Sequence, residues 1–140
     1  MSYQLTIIQK PAYLHAIVAG LNSKENVKAY LADVLEACKR RACNQVLIEE
    51  KLEGPRIDTI NVFQIASEGS RQALGFYKAI AYVDVNAEGD LMKFAETVAF
   101  NRGLPVRLFS SVAEAERWLI ENDREGTDPL NPADRDIARR

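Results

Sequence analysis

The sequence contains few residues of the kinds that catalyse reactions or bind metals. His15 is the single histidine, and it lies in a short apolar run that is typical of a strand. Cys38 and Cys43 are five residues apart on one predicted helix, a spacing that puts them on different faces. One histidine and two separated thiols form neither a nucleophilic triad nor a four-ligand zinc site. We therefore expect no metal, no cofactor and no catalytic residue, with Cys38 in the core and Cys43 half-buried at a helix end.

Sequence motifs for nucleotide binding and hydrolysis are also absent. The chain has no G-x-G-x-x-G, no G-x-x-x-x-G-K-[ST] and no G-x-S-x-G. The acidic pair Glu49-Glu50 could share a proton or hold a metal, but the polar run from Glu49 to Arg56 indicates a solvated loop. These observations favour a protein that is not an enzyme.

Strand and helix patterns alternate along most of the chain. Strand patterns occur at residues 3–9, 14–19, 46–48, 79–85 and 105–109. The first two have a four-residue connection, which predicts an antiparallel hairpin. Amphipathic helix patterns follow the later strands and give the order β-β-α-β-α-β-α-β-α. Because this order requires crossovers, we expect the last three strands to be parallel and central, with the hairpin at one side.

Length, composition and charge narrow the class of protein. The 140 residues are enough for one domain, and 47% of them are hydrophobic, which is enough to form a core. Eighteen basic and twenty acidic side chains give a net charge of −2, which does not favour nucleic acid or membrane binding. No apolar run is long enough for a membrane span and no signal peptide is evident, so we expect a cytoplasmic protein. We assign residues 1–122 to the domain and 123–140 to a charged, mostly disordered tail.

The order and length of these elements resemble the STAS superfamily, the fold of bacterial anti-sigma-factor antagonists and of sulphate-transporter tails. The resemblance covers residues 3–122, and the chain is most similar to small, uncharacterised bacterial STAS-like proteins. It implies an α/β fold with a mostly parallel central sheet, an N-terminal antiparallel hairpin and about four helices. It also implies a non-catalytic module that binds a protein partner, such as an anti-sigma factor or a serine/threonine kinase.

The same resemblance gives one dipeptide a regulatory meaning. Antagonists carry Asp-Ser, or Asp-Thr in stressosome relatives, at the start of the second helix, and a kinase phosphorylates the hydroxyl. Asp58-Thr59 matches this dipeptide, although Ile60-Asn61 follows where antagonists usually continue Ser-Gly. A phosphate on Thr59 would meet the N–H groups of the helix start, and Arg56 is close enough in sequence to pair with it. Asp58 and Thr59 are also preferred capping residues, which alone would explain them.

A second hypothesis, from a different class, is a domain that binds or senses a small apolar molecule. Its pocket would lie under the helices and be lined by four aromatic residues, Phe63, Phe76, Tyr77 and Phe94. Aromatic residues at such spacings also fill ordinary cores. An exposed Thr59 hydroxyl would favour the regulatory module, and an enclosed apolar cavity of about 300 Å³ or more would favour the binding domain. A self-associating structural domain is a third hypothesis, so a homo-oligomer stays open.

Overall fold

The computed structural model arranges the chain as one five-stranded sheet covered by helices. It describes residues 3–54, 59–84 and 89–127, with the backbone alone at residues 59, 60, 62, 63, 89–92 and 124–127. The elements are β1 (Tyr3–Gln9), β2 (Leu14–Leu21), α1 (Lys24–Arg40), β3 (Gln45–Glu53), α2 (Thr59–Ala73), β4 (Ala79–Asp84), α3 (Gly89–Asn101), β5 (Val106–Phe109) and α4 (Val112–Thr127). Within these ranges the predicted order of strands and helices is confirmed.

The strands lie in the sheet in the same order as in the chain. β1 and β2 form the predicted antiparallel hairpin, and β2, β3, β4 and β5 are all parallel neighbours. The parallel pairing of the last three strands and the position of the hairpin at one side are therefore confirmed. The expectation that all three are central is wrong for β5, which forms the edge opposite β1. The interior strands are β2, β3 and β4, because β2 pairs with β3 on the side away from β1.

Strand β3 is longer than its sequence pattern indicates. The strand was expected to end at residue 48, and the polar residues after it to form a loop; the structure continues β3 to Glu53. The loop interpretation is therefore wrong for residues 49–53. The physical reason is that β3 lies between two parallel neighbours, so its backbone pairs with β2 from Val46 to Glu53 and with β4 from Gln45 to Glu50. Residues 55–58, the rest of the expected loop, lie outside the described part of the chain.

Two helices begin directly after a serine whose side chain caps the helix N-terminus. Ser23 accepts the N–H of Asn26 at 3.1 Å and begins α1. Ser111 accepts the N–H of Glu114 at 3.2 Å and begins α4, as the Ser-x-x-Glu spacing predicts. Helix α4 runs to Thr127, into the segment expected as tail, and residues 128–140 lie outside the described part. No helix in the described ranges is long and apolar enough to cross a membrane.

Strand alternation produces a separate apolar core on each face of the sheet. The first core lies under α1 and its neighbours, and includes Leu14, Val18, Tyr30, Val34, Val46 and Ile48. The second lies under α4, and includes Tyr13, Leu47, Ala81, Val83, Ala115 and Leu119. Cys38 is fully buried in the first core and Cys43 is half-buried, both as free thiols. Burial raises the pKa of the Cys38 thiol to about 11, so it is an inert core residue.

Candidate functional site

A cavity of about 220 Å³ lies between the sheet and helices α1, α2 and α3. Most of its wall is aliphatic and includes Val27, Leu31, Leu35, Ile48, Leu52, Ile65, Ile80, Leu104, Val106 and Leu108. Helices α2 and α3 contribute small residues, Ala66, Gly69, Ala73, Ala95 and Ala99, which leave the space beneath them unfilled. The volume is below the roughly 300 Å³ that would favour a binding domain, so the cavity does not meet that criterion, but it exceeds the roughly 150 Å³ of an engineered apolar cavity that binds benzene. The space therefore suits a molecule of about one substituted ring.

One part of the cavity wall is polar and centred on Glu50, of which only 7% is exposed. The carboxylate oxygen Oε2 accepts hydrogen bonds from the hydroxyls of Tyr30 on α1 and Tyr82 on β4, the second at 2.5 Å. The two hydroxyl oxygens are 2.7 Å apart. Asp84 is the partner of Glu50 across the β3–β4 pairing, and it raises the pKa of the Glu50 carboxyl group. We refer to Glu50, Asp84, Tyr30 and Tyr82 as the Glu50 cluster.

Burial sets the protonation of the Glu50 cluster. Removal from water raises the pKa of Glu50 to about 7, and Asp84 raises it while the two tyrosine hydroxyls lower it. Burial first, and then the charge of Glu50, hold the pKa of Tyr30 and Tyr82 well above the usual range, so both stay neutral donors. With a pKa of about 7, Glu50 holds its proton in part of the molecules near neutral pH.

The polar part of the cavity wall is acidic. Besides Glu50 and Asp84, Glu96 of α3 lines the cavity and accepts the backbone N–H of Leu108 at 2.9 Å. Asn22, Ser70 and Gln72 are neutral lining residues. Among the lining residues that the structure describes, none is lysine, arginine or histidine. The cavity is thus an apolar space with a negative or proton-sharing wall.

The neighbouring glutamate, Glu49, belongs to the opposite face of the sheet. Its carboxylate lies 3.0 Å from Nε2 of His15 and 3.6 Å from Nζ of Lys51. His15 is the strand residue that the sequence predicts. Glu49 and Glu50 cannot share a proton or a metal, because successive side chains of a strand point to opposite faces. In the described ranges, no group of three His, Cys, Asp or Glu residues is arranged to hold a metal ion.

The four aromatic residues that the sequence places in an apolar pocket do not lie together in the cavity wall. Tyr77 lies in the cavity wall, and its hydroxyl is 3.9 Å from Sγ of Cys38. Phe76 packs edge-on against Tyr77 at the border of the first core and does not line the cavity. Phe94 is 37% exposed and also lies outside the wall, and the side chain of Phe63 is outside the described residues. Of the three proposed aromatic side chains that the structure describes, Tyr77 lines the cavity, and most of the described wall is aliphatic.

At Thr59, the phosphorylation site expected from the sequence, the structure describes only the backbone. Helix α2 begins at Thr59, the position that the resemblance to antagonists assigns to the phosphoacceptor. Asp58 and Arg56 lie outside the described residues, as does the side chain of Thr59.

Sequence reasoning did not find the Glu50 cluster. Glu50 follows Val46 and Ile48 at a period of two and is followed in the same way by Leu52, which is a sign of one continuous buried strand face. That signal was present but was outweighed by the density of charge from Glu49 onward. Tyr30, Tyr82 and Asp84 lie on other elements, and only the folded chain brings them to Glu50.

Comparison with known proteins agrees with this architecture. No protein-family model matches the sequence, and no curated protein matches it. A solved structure does: an uncharacterised protein of the DUF3478 family with a SpoIIAA-like fold, from Shewanella loihica PV-4, with a TM-score of 0.53 and 18% identity. The match covers 84% of this chain and 93% of that one. The chain therefore has the STAS-like, SpoIIAA-like α/β fold that its element order predicts.

Proposed function

We propose that this STAS-like domain is non-catalytic and binds a small, largely apolar molecule in the cavity between the sheet and helices α1 to α3. The observation that carries the proposal is the cavity itself, about 220 Å³ of mostly apolar space between the sheet and the helices, partly open to solvent. Apolar surface in contact with water is costly, at roughly 25 cal/mol per Å². A molecule that fills the space removes this surface from water.

The aliphatic and polar parts of the cavity wall would make different contacts with the ligand. The aliphatic side chains of β3, β4 and β5 supply apolar surface, worth roughly 25 cal/mol per Å² removed from water. Glu50, Asp84 and Tyr82 of the Glu50 cluster line the cavity and supply polar groups that orient a ligand. Glu50 and Tyr82 lie on neighbouring interior strands, so their positions are held by the sheet rather than by a loop.

A cavity-filling variant tests this proposal. Gly69 lines the cavity from the interior of α2, and a Cβ atom added there would have no neighbour within 4 Å. Gly69→Leu should fill the cavity, whereas Gly69→Ala adds one methyl group and should leave most of it open. We expect propylbenzene, a neutral one-ring probe, to perturb amide NMR signals of the cavity wall in the unaltered protein and in Gly69→Ala. In Gly69→Leu the perturbation should be lost.

Two results would contradict the binding proposal. One is the absence of any perturbation by propylbenzene up to its solubility limit in the unaltered protein. The other is an equal perturbation in Gly69→Leu and in the unaltered protein, since binding would then lie elsewhere. Circular dichroism of both Gly69 variants controls for a change in fold.

A second candidate function is partner binding controlled by phosphorylation of Thr59. The observation that favours it is the start of α2 at Thr59, because a helix N-terminus stabilises a phosphate through its backbone N–H groups and dipole. In this function the partner would be a serine/threonine kinase or an anti-sigma factor, as the resemblance to antagonists implies.

Mass spectrometry of the protein from its native cell tests the second candidate. A phosphate localised to Thr59 would support it, and unmodified peptides across growth and stress conditions would contradict it. Variants of Thr59 test whether the residue is a switch. Because α2 begins at Thr59, this residue is the first of the helix and not its cap. Without a switch, Thr59→Ala should therefore change stability by less than about 1 kcal/mol, and Thr59→Glu should be tolerated at the helix N-terminus. If it is a switch, Thr59→Glu should weaken partner binding more than Thr59→Ala.

A further inference from the structure

We propose that the cavity selects an organic cation, a primary amine on one apolar ring or short chain, and rejects the corresponding carboxylate. This inference rests on the proposed binding function and names the chemistry of the ligand. It is carried by the placement of Glu50, Asp84 and Glu96 around a space whose remaining wall is mostly aliphatic.

Charge complementarity distinguishes the ligand classes. Three carboxyl groups line the cavity, and the described lining residues include no lysine, arginine or histidine to balance them. The hydroxyl donors closest to Glu50, those of Tyr30 and Tyr82, already donate within the cluster. A carboxylate ligand would therefore lose its hydration and meet like charge. An ammonium group has three donors and would form charge-assisted hydrogen bonds to carboxylate oxygens.

Below pH 7 the raised pKa of Glu50 also makes the exchange electrically neutral. Without ligand, Glu50 is then mostly protonated, because burial and the neighbouring Asp84 raise its pKa to about 7. When an ammonium group binds, one proton leaves Glu50 for solvent, and the new carboxylate faces one positive charge. The net charge of the buried site stays the same, so binding adds no uncompensated charge to a region of low dielectric. Tyr30 and Tyr82 remain hydrogen-bonded to Glu50 in both states.

This exchange makes binding dependent on pH. The titratable groups around Glu50 are Tyr30 from α1, Tyr82 and Asp84 from β4, and, across the cavity, Glu96 from α3. Both tyrosines stay protonated over this range. Since burial raises the pKa of Glu50 to about 7, amine affinity should rise about tenfold from pH 6 to pH 8, with uptake of amine releasing nearly one proton at pH 6.

Four probes of similar shape test the inference by calorimetric titration of the unaltered protein at pH 8. They are 2-phenylethylamine, 2-phenylethanol, 3-phenylpropanoate and propylbenzene. We expect the amine to bind at least tenfold more tightly than the alcohol, and the carboxylate at least tenfold more weakly than the alcohol. Equal affinity for amine and alcohol, or tighter binding of the carboxylate, would overturn the inference while leaving the binding function intact. If none of the four binds, the proposed function fails together with the inference.

A matched pair of substitutions on β3 tests whether Glu50 is responsible for the preference for the amine. Glu50→Gln should weaken amine binding at least tenfold, remove its pH dependence and change the affinity for propylbenzene less than threefold. Glu49→Gln removes the same charge from the next residue, on the opposite face, and should leave amine binding within twofold. An equal loss in both variants would mean that general surface charge, not the Glu50 cluster, attracts the amine, and the inference would be wrong. The probe series on the unaltered protein decides the question even if Glu50→Gln fails to fold.

Discussion

Adjacent glutamates on β3 have different environments because a strand points successive side chains to opposite faces. Glu49 pairs with His15 and Lys51 on the α4 face. Glu50 lies in the cavity wall on the other face and is hydrogen-bonded to two tyrosines, with Asp84 as its partner on β4. Burying a carboxyl group is costly unless it is hydrogen-bonded or neutralised, and the Glu50 cluster does both.

The buried carboxyl of Glu50 should make stability depend on pH. Its pKa rises from an ordinary 4.5 in the unfolded chain to about 7 in the folded one, so between these values the folded state holds an additional proton. The free energy of unfolding should therefore decrease as pH rises from about 4.5 to 7, with this residue contributing on the order of 3 kcal/mol to the change. Urea unfolding of the unaltered protein and Glu50→Gln across this range measures the contribution.

The glutamine variant should lose the contribution, because its amide does not titrate. Its stability relative to the unaltered protein should improve with rising pH and be most favourable near pH 8. Glu49→Gln, the same substitution on the opposite face, is the control. A constant difference between Glu50→Gln and the unaltered protein at all pH values would disprove a raised pKa for Glu50.

At the scale of elements, helix α2 continues through one glycine while a different glycine follows the end of α3. Gly69 lies within α2, in an ordinary helical conformation, and contributes open space to the cavity wall. Gly103 has a φ of 91° and is the second residue after the end of α3 at Asn101, as its predicted role beyond the helix end requires. The same residue type therefore leaves space in one helix and ends another.

Alanine at these two glycines should have opposite effects. Gly69→Ala should stabilise the protein by about 0.5–1 kcal/mol, since alanine favours the helix and its Cβ would contact nothing within 4 Å. Gly103→Ala should destabilise it by about 1 kcal/mol or more, because the left-handed conformation disfavours a side chain and the Cβ would lie 3.2 Å from Cδ1 of Leu74. Urea unfolding compares the two, and effects of the same sign would contradict this interpretation.

At the scale of the whole molecule, one sheet carries two cores, and buried polar contacts link its layers. Gln45 of β3 donates to the backbone carbonyl groups of Ala12 and Leu119 and accepts from the side chain of Asn122. These bonds attach α4 to the sheet in addition to the packing of Ala115 and Leu119. Because the two cores share β3 and β4, we expect them to unfold together.

Removing one leucine from each core tests this cooperativity. Leu14 and Leu119 are fully buried on opposite faces, and Leu14→Ala and Leu119→Ala should each cost about 2–5 kcal/mol. Trp118 is the single tryptophan and packs at the second core, so its fluorescence reports on α4. In both variants the fluorescence and circular dichroism transitions should coincide. A fluorescence transition that shifts in Leu119→Ala but not in Leu14→Ala would indicate two independent units.

The sequence by itself determined the order and type of the elements and several of their ends. Hairpin spacing, helical periodicity and the caps at Ser23 and Ser111 are local features, decided by residues within a few positions of one another. From that order followed the parallel pairing of the later strands and the STAS-like fold, because alternating strands and helices require crossovers.

Only the tertiary structure decided the length of β3, the edge position of β5 and the composition of the cavity wall. β3 extends through a charged stretch because it pairs with neighbours that are distant in sequence. Tyr30 and Tyr82 are 20 and 32 residues from Glu50 in the sequence. No local sequence pattern predicts that their hydroxyl groups contact its carboxylate. A cavity is likewise a property of facing elements, since small residues on α2 and α3 leave space only where the sheet beneath them does not fill it.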